Sequence, residues 1–358
     1  MPPLLRFIIV RLVSIPVTLL IVTMVLYGFV MLTSPEERAT LYFGAGIDPE
    51  RLGPQQIKRY TELIIERYHL REPYPVQYAY WAASLLRGDW GMSPNLHEDV
   101  LPALLRRTPV TAELTLYSLL LYIPLGLISG VMAGWKKDRF TDLSFRLAAF
   151  TATSFPVFVL AFVLLAIFYV GLGWFAPERL SALNALEVSR PGFPTITGLI
   201  TLDGLLLGRV DLTLDALRHL ILPVFTLSLL HWATLGRVTR AAMIEELSKD
   251  YITAGWARGL PQRSVVWRHA LRNVLNPALT SSALSAATLF TGVYIVEVIY
   301  NFKGISEVGV VSVYGPPDAP AVLGFAIYSV IIILFIMLIL DILQGLFDPR
   351  VREGIIHS

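Results

Sequence analysis

The chain has 358 residues, of which 55% are hydrophobic and only 16% charged, with a mean hydropathy of +0.62; a soluble domain of that length does not carry so apolar a balance. The formal net charge of +2 is too small for a nucleic-acid-binding surface, so the position of each charge matters more than the sum. No cysteine is present, which excludes disulfides, thiolate metal sites and a cysteine nucleophile. An all-α, polytopic membrane protein is the class that remains.

Apolar runs near the roughly 20-residue spanning length number about six. In chain order they cover approximately Leu12 to Leu32, Leu114 to Ala133, Leu147 to Leu172, His219 to Leu235, Ala278 to Ile299 and Ala321 to Leu346. The first is longer than the apolar stretch of a signal peptide and no small-residue cleavage site follows it, so 1–32 reads as an uncleaved first transmembrane helix. The fourth is interrupted by His219, Pro223 and His231.

Lys and Arg of the short connections set the orientation. Arg6 and Arg11 precede the first span, Lys136, Lys137 and Arg139 join the second to the third, a group from Arg237 to Arg272 joins the fourth to the fifth, and Arg350 and Arg352 follow the sixth. All four groups fall on one side, which predicts cytoplasmic termini. Two longer stretches then lie outside. Residues 33–109 mix acids, bases and aromatics such as Tyr74, Tyr78, Tyr80, Trp81 and Trp90. With helical apolar spacing at Ile57, Leu63, Ile64 and Tyr68, they read as a small extracytoplasmic helical insertion. The stretch from Trp174 to about Leu217 is rich in Gly and Pro and reads as an ordered loop. Residues 110–358 form the core with five spans, and Gly134 opens the loop after the second.

The segment from Asp250 to Pro277, DYITAGWARGLPQRSVVWRHALRNVLNP, is polar and basic between two apolar spans, so it reads as a sizeable loop, part of a connection over 237–277. Asp250 is suited to cap a short helix, Tyr251, Ile252 and Ala254 give it an apolar face, and Gly259 supplies a turn at its end. A stiff helix joined to two spans moves with them as a lever. The alternative is an amphipathic loop lying on lipid headgroups through its arginines.

This segment resembles the cytoplasmic loop of permease subunits in ATP-binding-cassette importers, whose signature is a Glu-Ala-Ala-like triplet, three residues and a glycine. Thr253, Ala254 and Gly255 stand at the triplet and Gly259, followed by Leu260, at the glycine. Thr253 departs from Glu, as the dipeptide and nickel branch of these permeases commonly does. Four further stretches are similar to that branch. They are ERYHLREPYPVQYAYWAASLLRGDWGMS from Glu66 to Ser93, TPVTAELTLYSLLLYIPLGLISG from Thr108 to Gly130, VEVIYNFKGISEVG from Val296 to Gly309, and DPRVR from Asp348 to Arg352.

The resemblance implies the importer permease fold in the cell membrane of a prokaryote. It implies that Asp250, Tyr251, Thr253, Ala254, Gly255, Arg258, Gly259, Leu260 and Arg263 couple the chain to two partner ATPases. Those subunits use ATP and magnesium, and this chain binds no cofactor. An extracytoplasmic binding protein delivers the substrate, read as peptide, with oligosaccharide or nickel as alternatives. Six spans with one polar face make half a pathway, so a second, homologous permease subunit is expected beside this one, in lipid and without nucleic acid.

No G-x-x-x-x-G-K-[ST] phosphate loop, H-E-x-x-H or G-x-S-x-G occurs, and the six histidines are scattered. An intramembrane protease or a membrane scaffold is the rival class, since Glu297, Asp341 and His231 sit in or near spans. Glu297, between Tyr294 and Tyr300, either lines a translocation route with them or reaches interfacial water. Asp341 is expected to pair with a cytoplasmic-side arginine, Glu113 to cap the second span, and His231 to be a packed or interfacial residue. Small residues of the fifth span (Ser281, Ser282, Ala283, Ser285, Ala286, Ala287) suit either a subunit interface or packing within the chain.

Overall fold

The computed structural model describes residues 3–42, 53–314 and 318–347. These residues are helical apart from loops and one small antiparallel hairpin, β1 (Met92–Ser93) with β2 (Glu98–Asp99). The helices in order are α1 (Pro3–Val30), α2 (Pro35–Ala39), α3 (Pro54–Arg67), α4 (Tyr74–Leu86), α5 (Val100–Trp135), α6 (Phe140–Ser154) and α7 (Val157–Leu164), the last continued by a π-turn over Leu165–Gly171. Then come α8 (Ala182–Val188), α9 (Ile200–Leu206), α10 (Val210–Leu247), α11 (Asp250–Ala257), α12 (Gln262–Ser264), a π-turn over Val265–Ala270, α13 (Leu271–Ile299), α14 (Ser306–Tyr314) and α15 (Ala319–Phe347).

Among the described residues, four helices are long and apolar enough to cross a membrane, Leu12–Val30, Val100–Trp135, Val210–Leu247 and Ala319–Ile339. The number becomes six when each of two bent helix pairs is taken as one span. One such pair, Phe140–Ser154 with Val157–Gly171, covers the third run expected over 147–172, and it is sharply bent. Helix α6 ends at Ser154, Phe155 is extended (φ −99, ψ 127), and α7 leaves at 100° to α6. The cause is Pro156, which disfavours helical geometry in the residue before it. The interrupted fourth run is instead the middle of a 38-residue helix, α10. His219, Pro223 and His231 are buried there, with the His231 ring packed 5.5 Å from that of Tyr122.

The described residues form two compact units, one of Ile8–Pro109 with Gly304–Phe335 and one built on Val110–Lys303. This division differs from the segmentation 1–32, 33–109 and 110–358. Residues 33–109 share a core with the first span and α15: Tyr27, Leu41, Ile64, Ile65, Trp81 and Leu323 cluster together. So short a segment buries too little apolar surface by itself and borrows it from the spans. Within this unit the Arg38 guanidinium donates to the carbonyls of Met31, Thr33 and Leu70. Asp318 accepts the Ser93 hydroxyl at 2.5 Å.

In the other unit α5 and α10 meet along a glycine seam. A Cβ on Gly126 would stand 2.9 Å from the Leu235 side chain, and on Gly134 2.7 Å from the Met243 Cβ. Gly134 is thus a packed helical residue and not the start of a loop, because α5 runs on to Trp135. Glu113 is likewise mid-helix rather than a cap. Its buried carboxylate accepts the Arg179 guanidinium at 2.6 Å and the backbone N–H and hydroxyl of Thr201 at 2.8 and 2.6 Å. With these bonds it pins the stretch after Trp174, which contains α8 and α9 and gives way to α10 at Val210. In the fifth span Ser282, Ser285 and Ala286 are buried within this chain, and Tyr122 donates to the Ser282 carbonyl. The Asp341 side chain and the stretch from Asp348 to Arg352 lie outside the described residues.

Candidate functional site

The polar segment 237–277 is not a loop but almost continuous helix: the end of α10, then α11, α12, the π-turn and the start of α13. Only residues 248–249 and 258–261 connect them. Apolar packing explains why: Ile252 of α11 and Val265, Val266 and Ala270 of the π-turn are all buried in one cluster with Val131 of α5, Met243 of α10 and Val274 of α13. Ile252 is the root of α11, the only residue of that helix that is buried. Tyr251 and Ala254, expected on the apolar face, are exposed instead.

The N-cap of α11 is Lys249 rather than Asp250, and it makes no side-chain cap bond. Asp250 sits in the first turn, where a carboxylate complements the helix dipole. At the other end Gly259 has φ +77, its N–H donates to the Trp256 carbonyl at 2.9 Å, and the Leu260 N–H reaches back to the Gly255 carbonyl at 3.2 Å. These two bonds form a Schellman motif, and the left-handed residue in it is the one that glycine adopts without steric cost. No atom lies within 4 Å of where a Gly259 Cβ would be, so the backbone conformation and not crowding selects glycine.

The outer surface carries the rest. Asp250, Thr253, Ala254, Trp256, Arg258, Gly259, Leu260, Arg263 and Trp267 are all exposed, and Gly255 is half-buried. Apolar side chains stand out from it, with Trp256 44% and Trp267 38% exposed, flanked by the cations of Arg258 and Arg263. Aromatic and arginine side chains together, on a rigid base, are what protein interfaces enrich. Tyr251 extends along the root: its hydroxyl donates to the Glu246 carboxylate at 2.5 Å. Although the ring is exposed, desolvation of the hydroxyl and that neighbouring carboxylate push its pKa up to about 12, so the phenol stays protonated and donating across the physiological range.

The three residues expected along a translocation route are not brought to one surface. Glu297 is 0% exposed in this chain and accepts the Thr111 hydroxyl at 2.5 Å, which ties α13 to α5. Tyr300 is buried, with its hydroxyl 2.9 Å from that of Thr226. Tyr294 is half-buried, its ring edge-on to Phe290. Among the described residues no group of three or more His, Asp or Glu side chains is placed to hold a metal ion.

Sequence reasoning missed Glu246, Asn273 and the pair of Asp142 with Arg240, whose guanidinium donates to the carboxylate at 2.5 and 2.8 Å. Their partners on other helices, 27 and 98 residues away, leave no local mark. The glycine seam was missed as well, although Gly126, Gly130 and Gly134 at a spacing of four form the small-residue pattern of close helix crossings that could have marked it.

Apolar helices of spanning length, with a short, firmly rooted helix between two long ones, define a polytopic membrane protein. Residues 123–353 match the family of binding-protein-dependent transport system inner membrane components, and the chain belongs to that family. It is 31% identical over 303 residues to the dipeptide transport system permease protein of Alkalihalophilus pseudofirmus, covering 84% of this chain and 88% of that one. It is 33% identical over 309 residues to the probable D,D-dipeptide transport system permease protein of Escherichia coli K12, covering 86% and 89%. A third relative, the di/tripeptide transport system permease protein of Pseudomonas aeruginosa, is 33% identical over 290 residues, covering 81% and 84%. The chain is a non-catalytic, membrane-embedded permease component of an ATP-binding-cassette transport system that works with a substrate-binding protein.

Proposed function

We propose that this chain forms half of the pathway of a peptide importer and that α11 receives the mechanical input from an ATPase. The observation that carries the second part is Ile252, 0% exposed at the root of a helix whose remaining surface faces outward. Force on that surface reaches α5, α10 and α13 through one apolar cluster. Asp250, Thr253, Arg258, Leu260 and Arg263 make the contact, and Gly255 and Gly259 shape it. Two ATPase subunits close on ATP and magnesium, a second, homologous permease supplies the other half of the pathway, and an extracytoplasmic binding protein delivers the cargo. Both termini lie in the cytoplasm, as the basic clusters favour. Peptide is the cargo because the relatives named above are permeases for dipeptides and tripeptides. Tyr294 stays a pathway candidate, while Glu297 and Tyr300 belong to the framework.

Reconstitution of the complex in proteoliposomes tests this reading. With ATP inside and binding protein outside, labelled di- and tripeptides should accumulate, and the permease alone should hydrolyse no ATP. Uptake of nickel or an oligosaccharide in place of peptide would sink the cargo assignment. Uptake that persists without the ATPases would sink the division of labour.

A further inference from the structure

Glu246 lies in the last turn of α10 with its carboxylate buried, yet nothing in the apolar packing needs a charge there. Three side chains converge on it. Tyr251 donates from α11 at 2.5 Å and Asn273 from the start of α13 at 2.6 Å, both to Oε1, while Lys249 donates to Oε2 at 2.5 Å. The Asn273 amide also donates to the Tyr251 hydroxyl at 3.1 Å, closing a triangle between α10, α11 and α13. The apolar cluster around Ile252 holds these helices together without fixing their rotation, because burial is non-directional. Hydrogen bonds to a carboxylate are directional and charge-assisted, so they set an angle as well as a distance.

We infer that Glu246 is a positioning residue that locks α11 to α10 and α13, so that the three helices move as one body when α11 is pushed. This rests on the reading of α11 as the ATPase contact. The lock lies in the two donors from other helices. Lys249 contributes little, since its own side chain is 47% exposed and its bond spans only three residues along the chain. Glu246→Gln keeps an acceptor oxygen for Tyr251 and Asn273 and should therefore preserve the lock. Glu246→Leu keeps the volume and removes both acceptors; Tyr251→Phe removes one hydroxyl from an exposed ring.

The absence of cysteine allows spin labels at Ala257→Cys on α11 and Thr280→Cys on α13, in the assembled complex with its ATPases. The distance between labels should be the same with and without a non-hydrolysable ATP analogue in the otherwise unaltered chain and in Glu246→Gln. In Glu246→Leu and Tyr251→Phe it should broaden or shift between the two states. A distance that changes in the chain with Glu246 intact, or stays invariant in Glu246→Leu, overturns the proposal. If Glu246→Leu fails to assemble while Tyr251→Phe retains the invariant distance, Glu246 acts in folding only and the proposal is equally overturned. Mobility of the Ala257 label alone separates the underlying reading: if the ATPases do not restrict it, α11 is not their contact, whatever Glu246 does.

Discussion

Gly130 of α5 lies so close to Gly236 of α10 that a Cβ on Gly130 would stand 2.5 Å from the Gly236 carbonyl oxygen and 2.7 Å from the Thr239 Cβ. The obstacle is backbone, which cannot rotate aside, so even one methyl group forces the helices apart. Gly130→Ala should cost about 3 kcal/mol, toward the upper end for overpacking. The comparison is Gly28→Ala in α1, where no atom lies within 4 Å of the new Cβ. Thermal unfolding in detergent should show a lower midpoint for Gly130→Ala and none of that loss for Gly28→Ala. Equal midpoints would mean that α5 and α10 are not seated on each other as described.

Gly259→Val should uncouple transport from ATP hydrolysis while the protein still inserts. An L-residue at φ +77 costs about 1–2 kcal/mol, and a β-branched one resists more. The strain disturbs the exit of α11 and leaves the spans alone. Gly208→Val is the matched control: φ is +69 there and no atom lies within 4 Å, but the position precedes α10 and is far along the chain from α11. Peptide uptake per ATP hydrolysed should fall in Gly259→Val and hold in Gly208→Val. A like effect of both would make Gly259 an ordinary loop glycine.

The stretch before α10 should loosen in acid. Buried Asp203 accepts the backbone N–H groups of Ile196, Thr197 and Gly198 at 3.3, 2.7 and 3.0 Å and the Thr197 hydroxyl at 2.6 Å. Burial alone raises its pKa, but these donors outweigh burial and hold the carboxyl below its ordinary value. A depressed folded pKa means the stabilisation is complete above the ordinary carboxylate range and is lost as pH falls through the folded value, below about pH 4. Hydrogen exchange of 196–203, corrected for its intrinsic pH dependence, should therefore accelerate below that pH. Asp203→Asn should open the same stretch at neutral pH, by about 1–3 kcal/mol, read as faster hydrogen exchange of 196–203. Protection unchanged in both cases would remove Asp203 from this role.

What the sequence made legible follows from range. Gly259 was readable because a helix end demands a left-handed residue within a few positions, and the spans were readable because lipid demands apolar length. Hydropathy, however, measures composition and not direction, so it passed over the turn at Phe155 and Pro156 and undervalued α10, whose His219 and His231 are shielded by neighbouring helices. In the sequence Glu113 reads as a local cap, because its partner Arg179 lies 66 residues away. Glu246 went unnoticed for the same reason, its Asn273 partner being 27 residues on. Carboxylates that tie distant helices together carry no local pattern, and only the folded chain reveals them.

The orientation of the chain gives a prediction that needs no partner. The four basic groups place segment 237–277 in the cytoplasm and 33–109 outside, and each side offers an exposed position in a chain without cysteine. Arg263 serves for the first and Gln55, in the first turn of α3, for the second. Gln77, although central in 33–109, is unsuitable, since it is 0% exposed and donates to the carbonyls of Leu70 and Glu72. In intact cells a thiol reagent that cannot cross membranes should label Gln55→Cys and leave Arg263→Cys untouched until the cells are opened. Labelling of Arg263→Cys from outside would invert the topology and remove α11 from the reach of any cytoplasmic ATPase.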